Sequence, residues 1–360
     1  MPIFTVNTPQ RAYPNVVERG VIGRIAEFIP ERAGKLFVVT TQDVWRLHRE
    51  RLKEQFAGKP FGVLFFPGGE ANKRLAAVEA LAEQMMDGGA DRNSMVIGFG
   101  GGIVTDVSGF LAAIFMRGIP VLQVPTTLLA QVDAGTGGKT GVNLVNGKNL
   151  IGSFHQPTAV LIDADVLSTL PAREYRAGLF EVIKCGVIRD RALFDLLEHQ
   201  RHEILALEPA VTDQLIAAAV RIKAEVVTAD EREGDLRRIL NFGHTIGHAI
   251  EAETGYVRLL HGEAVGWGML AATRLAELTG TLASKEAESI ARVIRSYGPL
   301  PAIDDLNRDR LMARLASDKK TLQGKIHFVL PTTVGAVTVM NGIDPALIRQ
   351  ATTEALQKRS

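Results

Sequence analysis

Up to residue 168 the chain alternates between short apolar runs and longer stretches of helical period. The short runs are KLFVVT (35–40), FGVLFF (61–66), SMVIGFG (94–100), IPVLQVP (119–125) and AVLIDA (159–164). Between them lie stretches such as NKRLAAVEALAEQMMDGG (72–89) and SGFLAAIFMRG (108–118). Strands separated by helices close into a parallel sheet with helices on its faces. Ligands of such sheets bind beyond the carboxyl ends of the strands.

After the turn at Ser168-Thr-Leu-Pro171 the pattern changes. From Glu174 to Ala316 it is mostly helical, and a strand-like tail follows in KIHFVLP and GAVTVM. With 360 residues the chain exceeds what one hydrophobic core usually serves. The sequence therefore predicts an α/β, Rossmann-like N-terminal domain over 1–168 and a mainly α-helical C-terminal domain over 169–360. No low-complexity linker separates them, so direct packing around a cleft is expected.

Other function classes are disfavoured. The net charge of +1 offers no global field for nucleic acid or an acidic membrane. The single cysteine, Cys185, excludes an internal disulfide framework and suits a reducing, cytoplasmic setting. The stretch MPIFTVNTPQRAYP lacks a basic region followed by an apolar one, so no secretory signal is expected. Residues 95–116 are long and apolar, but Asp106, Ser108 and three adjacent glycines favour a buried strand, a turn and a buried helix over a membrane span.

Three glycine clusters follow strands. GFGGGIVTD (98–106) suits a backbone that approaches a pyrophosphate at a helix N-terminus, or one that packs tightly against a strand. Its spacing is not G-x-G-x-x-G, because position 103 is Ile103. PTTLLAQVDAGTGGKT (125–140) ends like a phosphate-binding P-loop, but the glycine that motif needs is Asp133. There Lys139, and Lys148-Asn149 just beyond, fit either phosphate oxygens or solvent. The third cluster is PGGE (67–70).

The segment RRILNFGHTIGHAIE (237–251) reads as one helix. Arg237, Asn241, His244, His248 and Glu251 fall on one face, where a core-facing helix puts leucine and isoleucine. His244 and His248 at i and i+4 suit a divalent metal, or one ligand beside one acid–base group. The inner glutamate of H-E-x-x-H is missing, so a zinc peptidase is not supported. Further ligands are needed, and the candidates are His261 in LLHGEA and Glu181 in GLFEVIKCG. So many polar groups need partners, which points to a wet, occupied cavity. Lys184 follows Glu181 by three residues, and Lys223 lies upstream on its own helix. Several cations imply an anionic substrate carrying phosphate and carboxylate.

These segments resemble the 3-dehydroquinate synthase family of sugar phosphate cyclases. The resemblance runs in order through GFGGGIVTDVSGFLAAIFMRG, VPTTLLAQVDAGTGGKTGVN, GKNLIGSFHQP, GLFEVIKCG, ADEREGDLRRILNFGHTIGHAIE, LLHGEAVGWGM and DKK (318–320). It implies an N-terminal NAD-binding domain, a C-terminal metal and substrate domain, and a homodimer that uses NAD and one divalent metal, zinc or cobalt. By position, Glu181, His244 and His261 match the metal ligands. The NAD segments match Gly68, Gly69, Glu70, Lys73, Gly101, Gly102, Ile103, Val104, Thr105, Asp106, Thr126, Thr127, Asp133, Lys139, Lys148, Val166, Leu167, Ser168 and Thr169. Lys223 and Arg237 match positions that hold a substrate carboxylate, and Lys139, Asn149, Lys184 and Asn241 surround its phosphate-bearing end. His248 matches a substrate contact active in proton transfer, and Lys184, Asn241 and Lys139 join it among the catalytic positions. Arg117 matches an arginine that reaches a neighbouring subunit's site, and within DKK either Lys320 or Lys319 matches a substrate contact. Cys185 and Phe180 depart from the family's usual residues without touching the matched set.

The implied substrate is 3-deoxy-D-arabino-heptulosonate 7-phosphate, with NAD oxidising it transiently at C5. Phosphate elimination, return of the hydride and an aldol closure complete the implied sequence. A metal-dependent NAD polyol dehydrogenase is the main rival, but it has no use for Lys184, Lys223, Arg237 and Asn149. A sister sugar phosphate cyclase whose substrate lacks the carboxylate leaves Lys223 and Arg237 without an anion. A catalytically dead NAD-binding regulator has no need of Glu181, His244 and His261 together.

Overall fold

The computed structural model describes residues 2–56, 58–145, 147–317 and 326–357. The chain divides into two compact units: Met1–Pro171 with Thr212–Arg232, and Ala172–Val211 with Glu233–Ser360.

The first unit is built on β1 (Ile3–Asn7), β2 (Ala12–Val17), β3 (Leu36–Thr40), α1 (Gln42–Lys53), β4 (Phe61–Phe65), α2 (Leu75–Asp87), β5 (Met95–Gly100), α3 (Gly102–Ile114), β6 (Val121–Pro125), β7 (Lys139–Leu144), β8 (Gly147–Phe154) and β9 (Val160–Ile162). Seven strands form one sheet in the order β1-β2-β9-β6-β5-β3-β4. Only β1 runs antiparallel to its neighbour. Strands β3, β5 and β6 are buried throughout, which is why they read as unbroken apolar runs. Strand order reverses between β3 and β5, the place where doubly wound sheets open a crevice. The segments after β4, β5, β6 and β9 are Pro67–Glu70, Gly101–Asp106, Thr126–Thr127 and Val166–Thr169. Each therefore leaves the carboxyl end of a strand, as the alternating pattern requires.

The second unit contains α4 (Ala172–Arg189), α5 (Arg191–His199), α6 (Arg201–Leu205) and the start of α7 (Pro209–Ala229), most of which belongs to the first unit. It continues with α8 (His244–Glu253), α9 (His261–Leu278), α10 (Ser284–Ser296), α11 (Arg308–Ser317), β10 (His327–Thr333), β11 (Ala336–Asn341) and α12 (Pro345–Gln357). The strand-like tail is the antiparallel pair β10–β11. Among the described residues no helix is long and apolar enough to cross a membrane, and 95–116 is β5 followed by α3 and a short turn.

The single helix expected over 237–251 is two elements. A 3₁₀ turn covers Leu236–Asn241, Phe242 is extended, and α8 starts at His244. Gly243 makes the break at φ 78°, a conformation that costs glycine little. Arg237 and Asn241 therefore do not share a helix face with His244, His248 and Glu251. The break is set by α9, because a Cβ on Gly243 would lie 2.5 Å from Met269 Cγ and 2.8 Å from the Val265 carbonyl.

Close backbone contact organises this unit. A Cβ on Gly268 would lie 1.9 Å from the Gly243 carbonyl oxygen and 2.7 Å from the Gly247 nitrogen. A Cβ on Gly262 would lie 1.9 Å from the Ala177 carbonyl oxygen. Helix α9 thus meets α8 near its middle and α4 at its start, with no side chain between. Neither neighbour can yield, since both clashes are with backbone. Gly268→Ala should lower the stability of this unit by about 1–3 kcal/mol through overpacking. Denaturant unfolding followed by circular dichroism measures it, and an unchanged midpoint would contradict the packing described.

Candidate active site

Three helices bring their polar residues together in the second unit. Helix α4 is buried from Ala177 to Ile188, yet it carries Glu181 and Lys184 there. The two pair with each other, Lys184 Nζ to Glu181 Oε2, since neither charge is tolerated in a core alone. His244 opens α8, and its Nδ1 lies 3.1 Å from the Phe242 carbonyl oxygen. His261 opens α9, and its Nδ1 lies 3.2 Å from Glu251 Oε2. With Nδ1 so engaged, each ring turns Nε2 toward one carboxylate oxygen. Glu181 Oε1 is 3.7 Å from His244 Nε2 and 3.4 Å from His261 Nε2. His248 lies one turn along α8, its ring centroid 5.4 Å from that of His244 and 5.9 Å from that of His261.

The start of α9 is fixed with care. Glu263 accepts from the Leu260 backbone N–H at 2.8 Å, and Arg173 from α4 holds the same carboxylate at 2.7 and 2.8 Å. This sets where His261 enters. Burial opposes a charge on His261, but Glu251 and then Glu181 outweigh it and raise its pKa to about 10. Among protein atoms alone, the imidazolium thus balances carboxylates that would otherwise repel.

A divalent cation fits this donor set. Imidazole nitrogens of His244, His248 and His261 lie within 4.8 Å of one another, and the Glu181 carboxylate faces two of them. Nitrogen and carboxylate ligands whose second nitrogens are already hydrogen-bonded are what zinc or cobalt sites use. Arg237 is buried in the 3₁₀ turn, and Asn241 Nδ2 donates to Glu233 Oε1 at 2.5 Å.

In the first unit a second constellation follows the strand ends. Lys73 is buried and donates to Asp106 Oδ2 and, at 2.6 Å, to Asn149 Oδ1. Burial pushes the Asp106 carboxyl up, and Lys73 pulls it back. Asn143 Nδ2 donates to Glu70 Oε1 at 2.8 Å, and Lys148 Nζ stands 3.8 Å from Glu70 Oε2. Gly68 and Gly69 both have positive φ, and no heavy atom crowds the place of a Cβ on Gly69. That backbone is open to a ligand. The β5–α3 turn has a packing reason as well, since a Cβ on Gly100 would lie 2.7 Å from Val104 and one on Gly101 2.9 Å from Thr127.

The remaining positions are placed as follows. Thr126 N donates to the Gly100 carbonyl at 2.9 Å, and Thr105 Oγ1 to the Gly102 carbonyl at 2.9 Å. Val166 and Leu167 are buried, Ser168 Oγ donates to the Asp165 carbonyl at 2.7 Å, and Thr169 Oγ1 lies 3.0 Å from the buried His48 Nε2. Lys223 Nζ donates to Asp133 Oδ1 at 2.6 Å. Lys139 is exposed at the start of β7. Arg117 sits at φ 70° in the turn Phe115–Arg117. Lys319 and Lys320 lie outside the described residues.

Two residues were given no role from sequence. Glu251 stands in the polar stripe, but its partner His261 is ten residues on, beyond a loop. Asn143 sits in the strand stretch KTGVNL with no periodic signal at all.

The family profiles for the 3-dehydroquinate synthase N-terminal and C-terminal regions match residues 63–177 and 178–321. A 3-dehydroquinate synthase of Solibacter usitatus is 61% identical over 99% of this chain and 100% of its own. Among solved structures, 2-epi-5-epi-valiolone synthase of Streptomyces hygroscopicus subsp. jinggangensis, with NAD+ and Zn2+ bound, superposes with a TM-score of 0.89 at 30% identity, covering 97% of this chain and 98% of that one. A 2-deoxy-scyllo-inosose synthase complexed with carbaglucose-6-phosphate, NAD+ and Co2+ gives 0.87 at 26% identity, covering 98% and 99%. Profile matches across most of the chain and a full-length relative at this identity agree with the geometry, and the chain belongs to the 3-dehydroquinate synthase family.

Proposed function

We propose that this chain is a 3-dehydroquinate synthase. It converts 3-deoxy-D-arabino-heptulosonate 7-phosphate to 3-dehydroquinate and phosphate, acting in the cytoplasm as a homodimer. The observation that carries the reading is the aim of two imidazoles, each anchored at Nδ1, at one buried carboxylate beside a buried lysine. The full-length relative at 61% identity supports the specific substrate over those of sister cyclases.

In this reading residues 1–168 bind NAD and residues 169–360 bind metal and substrate. Glu181, His244 and His261 hold the metal. Gly68–Lys73, Gly101–Asp106, Thr126, Thr127, Asp133, Lys139, Lys148 and Val166–Thr169 line the NAD site. A metal held there would supply Lewis acidity toward a substrate hydroxyl, and NAD would supply transient hydride storage. His248, one helical turn from His244, exchanges a proton with the hydroxyl that is oxidised. Lys184, Lys139, Asn149 and Asn241 bind the phosphate that departs. Lys223 and Arg237 hold the carboxylate, and Arg117 serves the partner copy. Most of these groups bind and orient, so positioning supplies much of the rate.

Phosphate release from the heptulosonate phosphate, with absorbance at 340 nm followed in parallel, tests the reading. Stoichiometric phosphate with no net NADH, abolished by EDTA, is the expected result. Net NADH without phosphate would identify a polyol dehydrogenase instead. His244→Ala should lose metal, measured by chelator competition, and reduce turnover by roughly a thousandfold, about 4 kcal/mol of transition-state stabilisation. Retained zinc in that variant would remove His244 from the ligand set.

A further inference from the structure

Strands β7 and β8 pair regularly except near their turn. Val142 faces Ile151 and Leu144 faces Gly147, so Asn143 alone faces 148–150. Such a bulge leaves ladder groups unsatisfied and re-aims the side chains within it. Asn149 lies inside, at φ 53°, in the left-handed region that favours glycine. Its backbone N–H is satisfied by Asn143, whose Oδ1 accepts it at 2.8 Å. The other end of the same amide donates to the Glu70 carbonyl at 3.2 Å and to Glu70 Oε1 at 2.8 Å. The Asn143 backbone N–H also donates to the Lys73 carbonyl at 2.8 Å. Lys73 in turn binds Asn149 Oδ1, which directs the Nδ2 donors of Asn149 away from it. Through its side-chain amide to Glu70 and its backbone N–H to Lys73, Asn143 thus fastens Asn149 to both ends of the segment Glu70–Lys73.

We propose that Asn143 is a positioning residue that holds Asn149 in its left-handed turn and ties it to Glu70–Lys73, so that NAD and the substrate phosphate bind cooperatively through it. The inference rests on the reading above, in which Asn149 meets phosphate and Gly68–Lys73 meets NAD. An Asn149 that relaxed to ordinary φ would swing its donors off the phosphate. A ligand that orders Glu70–Lys73 lowers the cost of holding Asn149, and by linkage phosphate tightens NAD by the same factor.

The test uses the full chain and three variants: Asn143→Ala, Asn143→Asp, and Asn143→Asp combined with Glu70→Gln. NAD affinity is measured by calorimetry with and without inorganic phosphate, and KM for the heptulosonate phosphate at saturating NAD. Asn143→Ala should raise KM about tenfold, the order expected for one buried hydrogen bond, with a smaller change in kcat. The factor by which phosphate tightens NAD should fall toward one. Asn143→Asp keeps the acceptor for Asn149 but sets a carboxylate against Glu70. Adding Glu70→Gln exchanges amide and carboxylate across that bond, so KM should fall again relative to Asn143→Asp. A merely structural role could move KM in the same way but would leave the factor by which phosphate tightens NAD at its wild-type value in every variant that folds. If Asn143→Ala does not fold, that factor in Asn143→Asp and its recovery in the double variant decide the matter. Absence of recovery, or wild-type KM and coupling in a folded Asn143→Ala, overturns the inference. Failure of the unsubstituted chain to bind NAD or release phosphate overturns the functional reading with it.

Discussion

Helix α9 touches α8 and α4 through backbone, and the candidate metal site depends on that contact. Gly268 admits the Gly243 carbonyl, and Gly262 admits the Ala177 carbonyl. Side chains at either place would hold the helices apart, since interhelical distance follows from what lies at the crossing. The candidate ligand atoms come from α4, α8 and α9 and lie only a few ångströms from one another. Metal geometry tolerates errors of tenths of an ångström, so a shift of one helix by a methyl's width would dissolve the cluster. Glycine here sets distance more than it supplies freedom.

A second regularity concerns charge. Lys73, Lys184 and Lys223 are all buried, and each pairs with a carboxylate: Asp106, Glu181 and Asp133 respectively. An isolated buried ammonium would shed its proton or force the structure open. Paired, it stays charged and in place. Each of these ammonium groups is thus desolvated and oriented within its own unit. Any anion reaching one of them would have to compete with its carboxylate, which favours groups of higher charge such as phosphate.

Much of this was legible in sequence where burial was complete. Strands β3, β5 and β6 are buried on both faces, so nothing interrupts their apolar runs. The β7–β8 hairpin was not legible, because its half-exposed, glycine-rich strands carry neither alternation nor continuous apolarity. The edge pair β1–β2 was missed for a similar reason, with Pro14 inside β2. The stretch 237–251 misled in another way. Its polar spacing runs through Gly243 unbroken, while the actual break is imposed by α9, more than twenty residues on. Local periodicity holds no trace of such a contact. The histidine pair at i and i+4 was legible because both residues lie in α8. The link from Glu251 to His261 needed the loop between α8 and α9 to be closed first.

His244 and His261 occupy matching places, each at the first residue of a helix, but they are anchored differently. His244 gives its Nδ1 proton to a neutral backbone carbonyl, and His261 gives its own to a carboxylate. A carboxylate stabilises positive charge on a ring more than a carbonyl does, which agrees with the raised pKa of His261. Both helix N-termini also point partial positive charge at the site, which weakens cation binding and favours anions. Glu181 and Glu251, both buried, offset that field. The cluster therefore sets carboxylates and imidazoles that suit a cation beside helix ends and a lysine, Lys184, that suit an anion. A pocket for a metal alone would need fewer cations, and one for a phosphate alone would have no reason to bury two glutamates among three histidines.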